Sequence, residues 1–171
     1  MLIAKPERDE TAEYYHGYID QAGEGDILAL MANQAAPAVK FLRGISEERS
    51  LFRYAPGKWS VCEVLNHIND AERIFTFRAL WFARGFDSPL PSFDQNTAVQ
   101  GAMPDARPWA SHIDEFAAIR ASTLAFFQAL PTEAWMRRGI ASGNPFTVRA
   151  LAYIVVGHAN HHLRVLREKY S

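Results

Sequence analysis

The chain has 171 residues, 49% hydrophobic and 22% charged, which suits one soluble domain with a full core and is short for two. Its net charge of −1 provides no basic field for a phosphate backbone, so a nucleic-acid partner is not expected. One cysteine, Cys62, excludes an internal disulfide, and no apolar run reaches the ~18 residues of a membrane span. The acidic start Met1–Glu10 lacks a signal-peptide apolar core, so a cytoplasmic protein is expected.

Residues 7–21 are polar but carry Tyr14, Tyr15, Tyr18 and Ile19, and read as a short helix that docks by its tyrosines. Gly23 and Gly25 break it. Asp26 then caps a helix to about Arg43, with Leu28, Met31, Ala35, Val39 and Leu42 at helical spacing and Pro37 inside the run. Tyr54-Ala-Pro-Gly-Lys-Trp59 is a turn. Ser60 starts a long helix, and Glu63 completes a Ser-x-x-Glu capping box. This helix runs to about Arg84 and stops at Gly85; its inward stripe holds Val64, His67, Ala71 and Ile74.

Residues 86–107 are proline-rich and show no periodicity, which predicts a long crossover loop. Trp109 to Leu130 forms the next helix, with Ile113, Phe116, Leu124, Phe127 and Leu130 inward and Arg120 interrupting the stripe. Pro131–Met136 adds a short turn, and Gly139–Pro145 reads as a connector. No run shows convincing strand alternation. The last helix, 147–169, carries Leu151, Val155, His158, His162 and Val165 on one face. Four long helices near 26–43, 60–84, 109–130 and 147–169 predict an all-α four-helix bundle in a single domain over 1–171. The long crossover makes helices two and three run parallel.

His158 and His162 lie one turn apart on an apolar face, and imidazoles at i and i+4 can close on one metal ion. His67 sits on the apolar face of another helix and is the natural third ligand. A lone inward histidine is ordinarily a core residue satisfied by one hydrogen bond. Three are harder to bury: without partners each costs on the order of 1–3 kcal/mol, and a shared metal satisfies all three. His161 points about 100° away from His162, toward Arg164 and Glu168, and is left out. Three histidines without a thiolate match an open, catalytic type of site, one that lowers the pKa of a bound water or thiol. Zinc, nickel, iron and manganese all suit imidazole, so spacing does not choose between them; zinc or nickel is the first expectation.

Other residues have blander readings. Glu72 lies about 140° round the helix from His67 and is read as a solvated helix charge, with support of a metal ligand as the alternative; the neutral Asn160 is read in the same way as a solvated polar residue. Arg120 is read as an internal salt bridge, with a substrate carboxylate as the alternative. Trp59 and Phe93 are candidates for a pocket mouth, and Cys62 for a small buried apolar residue. Asp94 is the candidate fourth ligand that would close the site.

Two stretches resemble a known family. Tyr54-Ala-Pro-Gly-Lys-Trp-Ser-Val-Cys-Glu-Val-Leu-Asn-His67-Ile-Asn-Asp-Ala-Glu-Arg-Ile-Phe75 is similar to the first motif of the DinB/YfiT-like superfamily. Arg149-Ala-Leu-Ala-Tyr-Ile-Val-Val-Gly-His158-Ala-Asn-His-His162-Leu-Arg-Val-Leu-Arg-Glu168 is similar to the second. The resemblance implies an up-down-down-up bundle, a homodimer, and a metal held by His67, His158 and His162. It also implies a metal-dependent transferase that joins a low-molecular-weight thiol to a small electrophile. A metal-dependent hydrolase and a non-catalytic, stress-associated metal-binding protein are the alternatives.

Overall fold

The computed structural model describes residues 2–170. Seven α-helices are found among them: α1 (His16–Ala22), α2 (Ile27–Arg43), α3 (Glu47–Ser50), α4 (Val61–Ala83), α5 (Gln95–Ala102), α6 (Trp109–Gln128) and α7 (Val148–Lys169). The four long ones begin within one residue of the expected positions, and for α2, α4 and α7 the cap is local chemistry. The Asp26 carboxylate accepts from Leu28 N at the start of α2. Ser60 Oγ accepts from Glu63 N while the Glu63 carboxylate accepts from Ser60 N, the expected capping box of α4. Thr147 Oγ1 accepts from Ala150 N at the start of α7. One cap is tertiary: the Glu47 carboxylate, from α3, accepts from Trp109 N at the start of α6.

Contacts fix the helix directions. Asn69 meets His112, Arg73 meets Glu115 and Thr76 meets Thr123, so numbers rise together and α4 and α6 run parallel. Gln34 meets Arg120 while Leu42 meets Trp109, so α2 and α6 are antiparallel. Gln34 meets Val156 while Phe41 meets Arg167, so α2 and α7 are parallel. The bundle is therefore up-down-down-up, as expected, and α7 and α6 each pack against both α2 and α4.

Two predicted regions differ from expectation. The crossover is not a bare loop: it holds the two-turn helix α5, capped by Asp94, and a 3₁₀ turn at Pro104–Ala106. The connector at 139–145 lies within a β-hairpin, β1 (Arg138–Ala141) against β2 (Asn144–Thr147), with Ala141 opposite Asn144. Ser142 and Gly143 form its two-residue loop with φ of 52° and 74°, the backbone that a tight hairpin turn requires. Leu90 extends the pairing by bonds to Ile140 O and from Ser142 N. The expected N-terminal helix is split into 3₁₀ turns at Arg8–Glu10 and Glu13–Tyr15, followed by α1.

Apolar packing forms two clusters. One joins α1, the hairpin, the C-terminal half of α4 and the start of α7. The other joins the ends of α2 and α7 to the starts of α4 and α6. Between them lies a polar layer. Arg120, 1% exposed, donates to the Glu72 carboxylate at 2.8 Å and to Gln34 Oε1. Gln34 Nε2 donates to Asn160 Oδ1 and Val156 O. Arg120 thus makes the internal salt bridge expected of it. Glu72 does not stand in solvent; it is 3% exposed, because α4 is covered by α6 on that side as well as by α7. Asn160 is also drawn into the layer and donates to Gln21 O. Among the described residues no helix is long and apolar enough to cross a membrane.

Breaking a buried pair leaves an uncompensated charge. Glu72→Ala is expected to lower stability by about 3–5 kcal/mol in a urea titration. Asp114→Ala, which removes the exposed partner of Arg43, should cost less than about 1 kcal/mol.

Candidate metal centre

Helix α4 presents His67 and helix α7 presents His158 and His162. The packing of these two helices side by side brings the three rings together. Nε2 of His158 lies 3.0 Å from Nε2 of His67 and 3.1 Å from Nε2 of His162. His67 and His158 are each 5% exposed and His162 is half-buried. Aromatic rings set their orientation: Trp59 lies 5.0 Å from His67, and Tyr18 and Phe75 lie 5.3 and 5.7 Å from His158, centre to centre. Gly157 lets α1 come this close. A Cβ there would stand 1.7 Å from Tyr18 O, so only glycine permits the approach that places Tyr18 over the site.

The donor set fits a divalent metal. A neutral imidazole Nε2 carries either one hydrogen or one lone pair, so His158 Nε2 cannot serve both neighbours well through hydrogen bonds alone. One ion about 2.0–2.1 Å from each nitrogen, at angles of about 90–110°, needs nitrogens roughly 2.9–3.4 Å apart; the two separations from His158 fall in that range, and the three ligand atoms all lie within 4.8 Å of one another, so His67 and His162 would draw together on the ion. Nδ1 of His67 is buried without a hydrogen-bond partner. No protein acceptor therefore commits this ring to one tautomer. Burial lowers the pKa of His67 to about 4 and of His162 to about 3, in the latter with help from His67 and His161. His158 is pushed well below its ordinary value by burial and by its imidazole neighbours. All three are therefore neutral near pH 7, the form that ligates metals.

Residues near the triad separate cleanly. His161 stays outside it as expected, but its ring faces α1: Tyr18 stacks edge-on at 5.5 Å and Gln21 lies 3.4 Å from Nδ1. Asp94 does not close the site; its carboxylate is engaged by Thr97 N as the cap of α5. Cys62 is fully buried with its thiol pKa raised by burial, the inert role assigned to it.

Two cavities flank the histidines. One, of about 260 Å³, is lined by His67 and His158 together with Arg78, Phe93 and the tyrosines of the N-terminal segment. The other, of about 320 Å³, is lined by His162 with Trp59, Lys58 and Tyr54. Gln95 and Asn96, at the start of α5, line both. A larger groove of about 650 Å³ runs between α2 and α6, but none of the three histidines lines it. Arg78 was missed in the sequence although a signal exists. It extends the stripe His67, Ala71, Ile74 by one further step of four, so it shares the inward face.

The sequence profile of the DinB superfamily matches residues 31–166. No curated protein matches the chain. Among solved structures the chain is similar to YfiT from Bacillus subtilis, described as a probable metal-dependent hydrolase with an unusual four-helix bundle topology. The TM-score is 0.72 at 15% identity, over 96% of this chain and 90% of YfiT.

Removing one nitrogen from a three-ligand set should be far costlier than removing a bystander. His67→Ala is expected to weaken zinc or nickel binding on the order of a hundredfold or more, and His161→Ala only slightly, by competition with a chromophoric chelator. A second expectation concerns acid. In an unfolded chain these histidines take up protons near pH 6.5, whereas the folded ones resist until about pH 4 or 3. The unfolded state binds more protons across that interval, so stability falls as pH drops through it. Urea midpoints of the chelated protein should be level above about pH 7.5 and decline steadily from about pH 6.5 downward. His162→Phe should flatten that decline.

Proposed function

From the premise that the chain belongs to the DinB superfamily, we propose that it is a metal-dependent enzyme that transfers a low-molecular-weight thiol to a small electrophile. The observation that carries this reading is the pair of cavities meeting at one histidine cluster. A transfer between two molecules needs two binding places beside one reactive centre; hydrolysis needs one. His67, His158 and His162 would hold the ion through their Nε2 atoms. A divalent ion so held supplies Lewis acidity and lowers the pKa of a thiol or water. Zinc and nickel are the ions we would test first, then iron and manganese.

The surrounding residues suit that task. Trp59 packs on His67 and Phe75 on His158, which lowers water access to two of the three imidazoles and strengthens electrostatic interactions there. The Tyr18 phenol, whose pKa burial raises, is protonated near neutral pH and lines the first cavity beside Tyr14. Lys58 supplies a cation at the second cavity, where an anionic group of the thiol would lie. A small-molecule substrate and a homodimer belong to the same proposal. A hydrolase is the second reading, favoured by the likeness in fold to YfiT as that protein is described.

The test is an assay of the metal-loaded protein with a panel of cellular thiols and a chromogenic electrophile such as 1-chloro-2,4-dinitrobenzene. Conjugation that depends on both thiol and metal, and that His158→Ala abolishes, is the expected result. Turnover of an ester or amide without thiol would establish the hydrolase instead. Absence of both from fully loaded protein would count against an enzyme.

A further inference from the structure

Arg78 lies on α4 and is 4% exposed. A guanidinium this buried ordinarily faces a carboxylate, as Arg120 faces Glu72 and Arg149 faces Glu10. Arg78 has neutral partners instead. Its Nη2 donates to Ser142 Oγ at 2.7 Å and to Pro91 O at 3.3 Å. The Phe75 ring lies 5.9 Å from its Cζ. The ionisable group acting on it is the phenol of Tyr15, and among the described residues no carboxylate lies within ion-pair distance. Asp94 lines the same cavity, but its carboxylate is engaged by the backbone of α5. Both of these bonds leave from Nη2 and the Tyr15 phenol takes a further one, which still leaves N–H groups of the five-donor guanidinium for another acceptor.

The surroundings give that charge a direction. Arg78 and Ser142 line the 260 Å³ cavity that also takes in His67 and His158. Ser142 sits in the hairpin turn, a rigid backbone that fixes one side of the fork. Phe75, Phe93, Tyr14 and Tyr18 form an aromatic wall. The volume is below that of pockets for drug-sized ligands, so the occupant is compact. A single guanidinium fork matches the planar, singly charged geometry of a carboxylate.

We infer that Arg78 is the anchor for a small carboxylate with a compact apolar body, held so that its other end faces His67 and His158. This deepens the enzymatic reading, since it names the class of substrate that would enter the first cavity. It assigns to Arg78 the carboxylate-holding role that sequence offered to Arg120.

Calorimetric titration of the full chain with benzoate and with benzamide tests the anchor without any turnover. Benzoate should bind at least about tenfold more tightly than its uncharged analogue. Arg78→Gln should weaken benzoate on the order of ten- to a hundredfold, and Arg78→Lys should restore part of the loss. Ser142→Ala, which loosens the fork but keeps the charge, should weaken it several-fold and serves if Arg78→Gln does not fold. The titrations are repeated after chelation, where the difference between benzoate and benzamide should persist. Equal binding of the two probes would overturn the inference. So would unchanged benzoate affinity in the Arg78 and Ser142 variants, loss of benzoate binding on chelation alone, or tighter binding of inorganic phosphate than of benzoate. None of these results depends on whether the protein conjugates thiols.

Discussion

The buried pair of Arg120 and Glu72 is the constraint on which the bundle depends. A guanidinium and a carboxylate removed from water depend on their mutual bond and on the neighbours that take their other groups; here Gln34 takes one arm of Arg120, while Glu72 Oε1 and Arg120 Nε have no partner among the described residues. Glu72 comes from α4, Arg120 from α6, Gln34 from α2 and Asn160 from α7, so the requirement couples all four long helices at one level. Apolar packing above and below that level tolerates small slips. A polar layer does not, because a slip by one turn would strand a buried charge. The layer therefore sets the axial register of each helix against the others.

That register is what makes the histidine cluster possible. His67 stands five residues before Glu72 on α4, and His158 and His162 bracket Asn160 on α7. Once Glu72 and Asn160 are tied into one layer, their neighbours on the facing sides of the two helices are brought level. The imidazoles then meet at 3.0 and 3.1 Å. Their burial keeps them neutral, and neutrality is the condition for ligating a cation. Fold and chemistry thus share one set of helix positions.

The elements outside the four long helices serve the surroundings of the site. Helix α1 lies close on α7 because Gly157 has no side chain there, and it delivers Tyr18. Helix α5 sets Gln95 and Asn96 at the divide between the two cavities. The hairpin turn carries Ser142 to Arg78. Such connecting segments are where specificity can vary while a scaffold stays fixed.

The sequence by itself determined the four long helices, and for α2, α4 and α7 their starts as well, because the caps Asp26, Ser60 with Glu63, and Thr147 act within one turn of chain. It also determined which histidines share a face, since spacing by three or four residues fixes that regardless of what packs against the helix. Only the tertiary structure decided that His67 meets His158 across 91 residues of chain. It likewise decided that Glu72 is buried rather than solvated, since a helix position contacting a second neighbour cannot be told from an exposed one by spacing on a single stripe. The hairpin was hidden for a related reason. Its strands are four residues each and hold a glycine and a proline, so pairing with each other and with Leu90, rather than intrinsic preference, makes them strands. Arg78 lay in the legible stripe. That no carboxylate among the described residues lies within ion-pair distance of it is a matter of which side chains α4, the crossover and the hairpin bring together, and no local pattern encodes that.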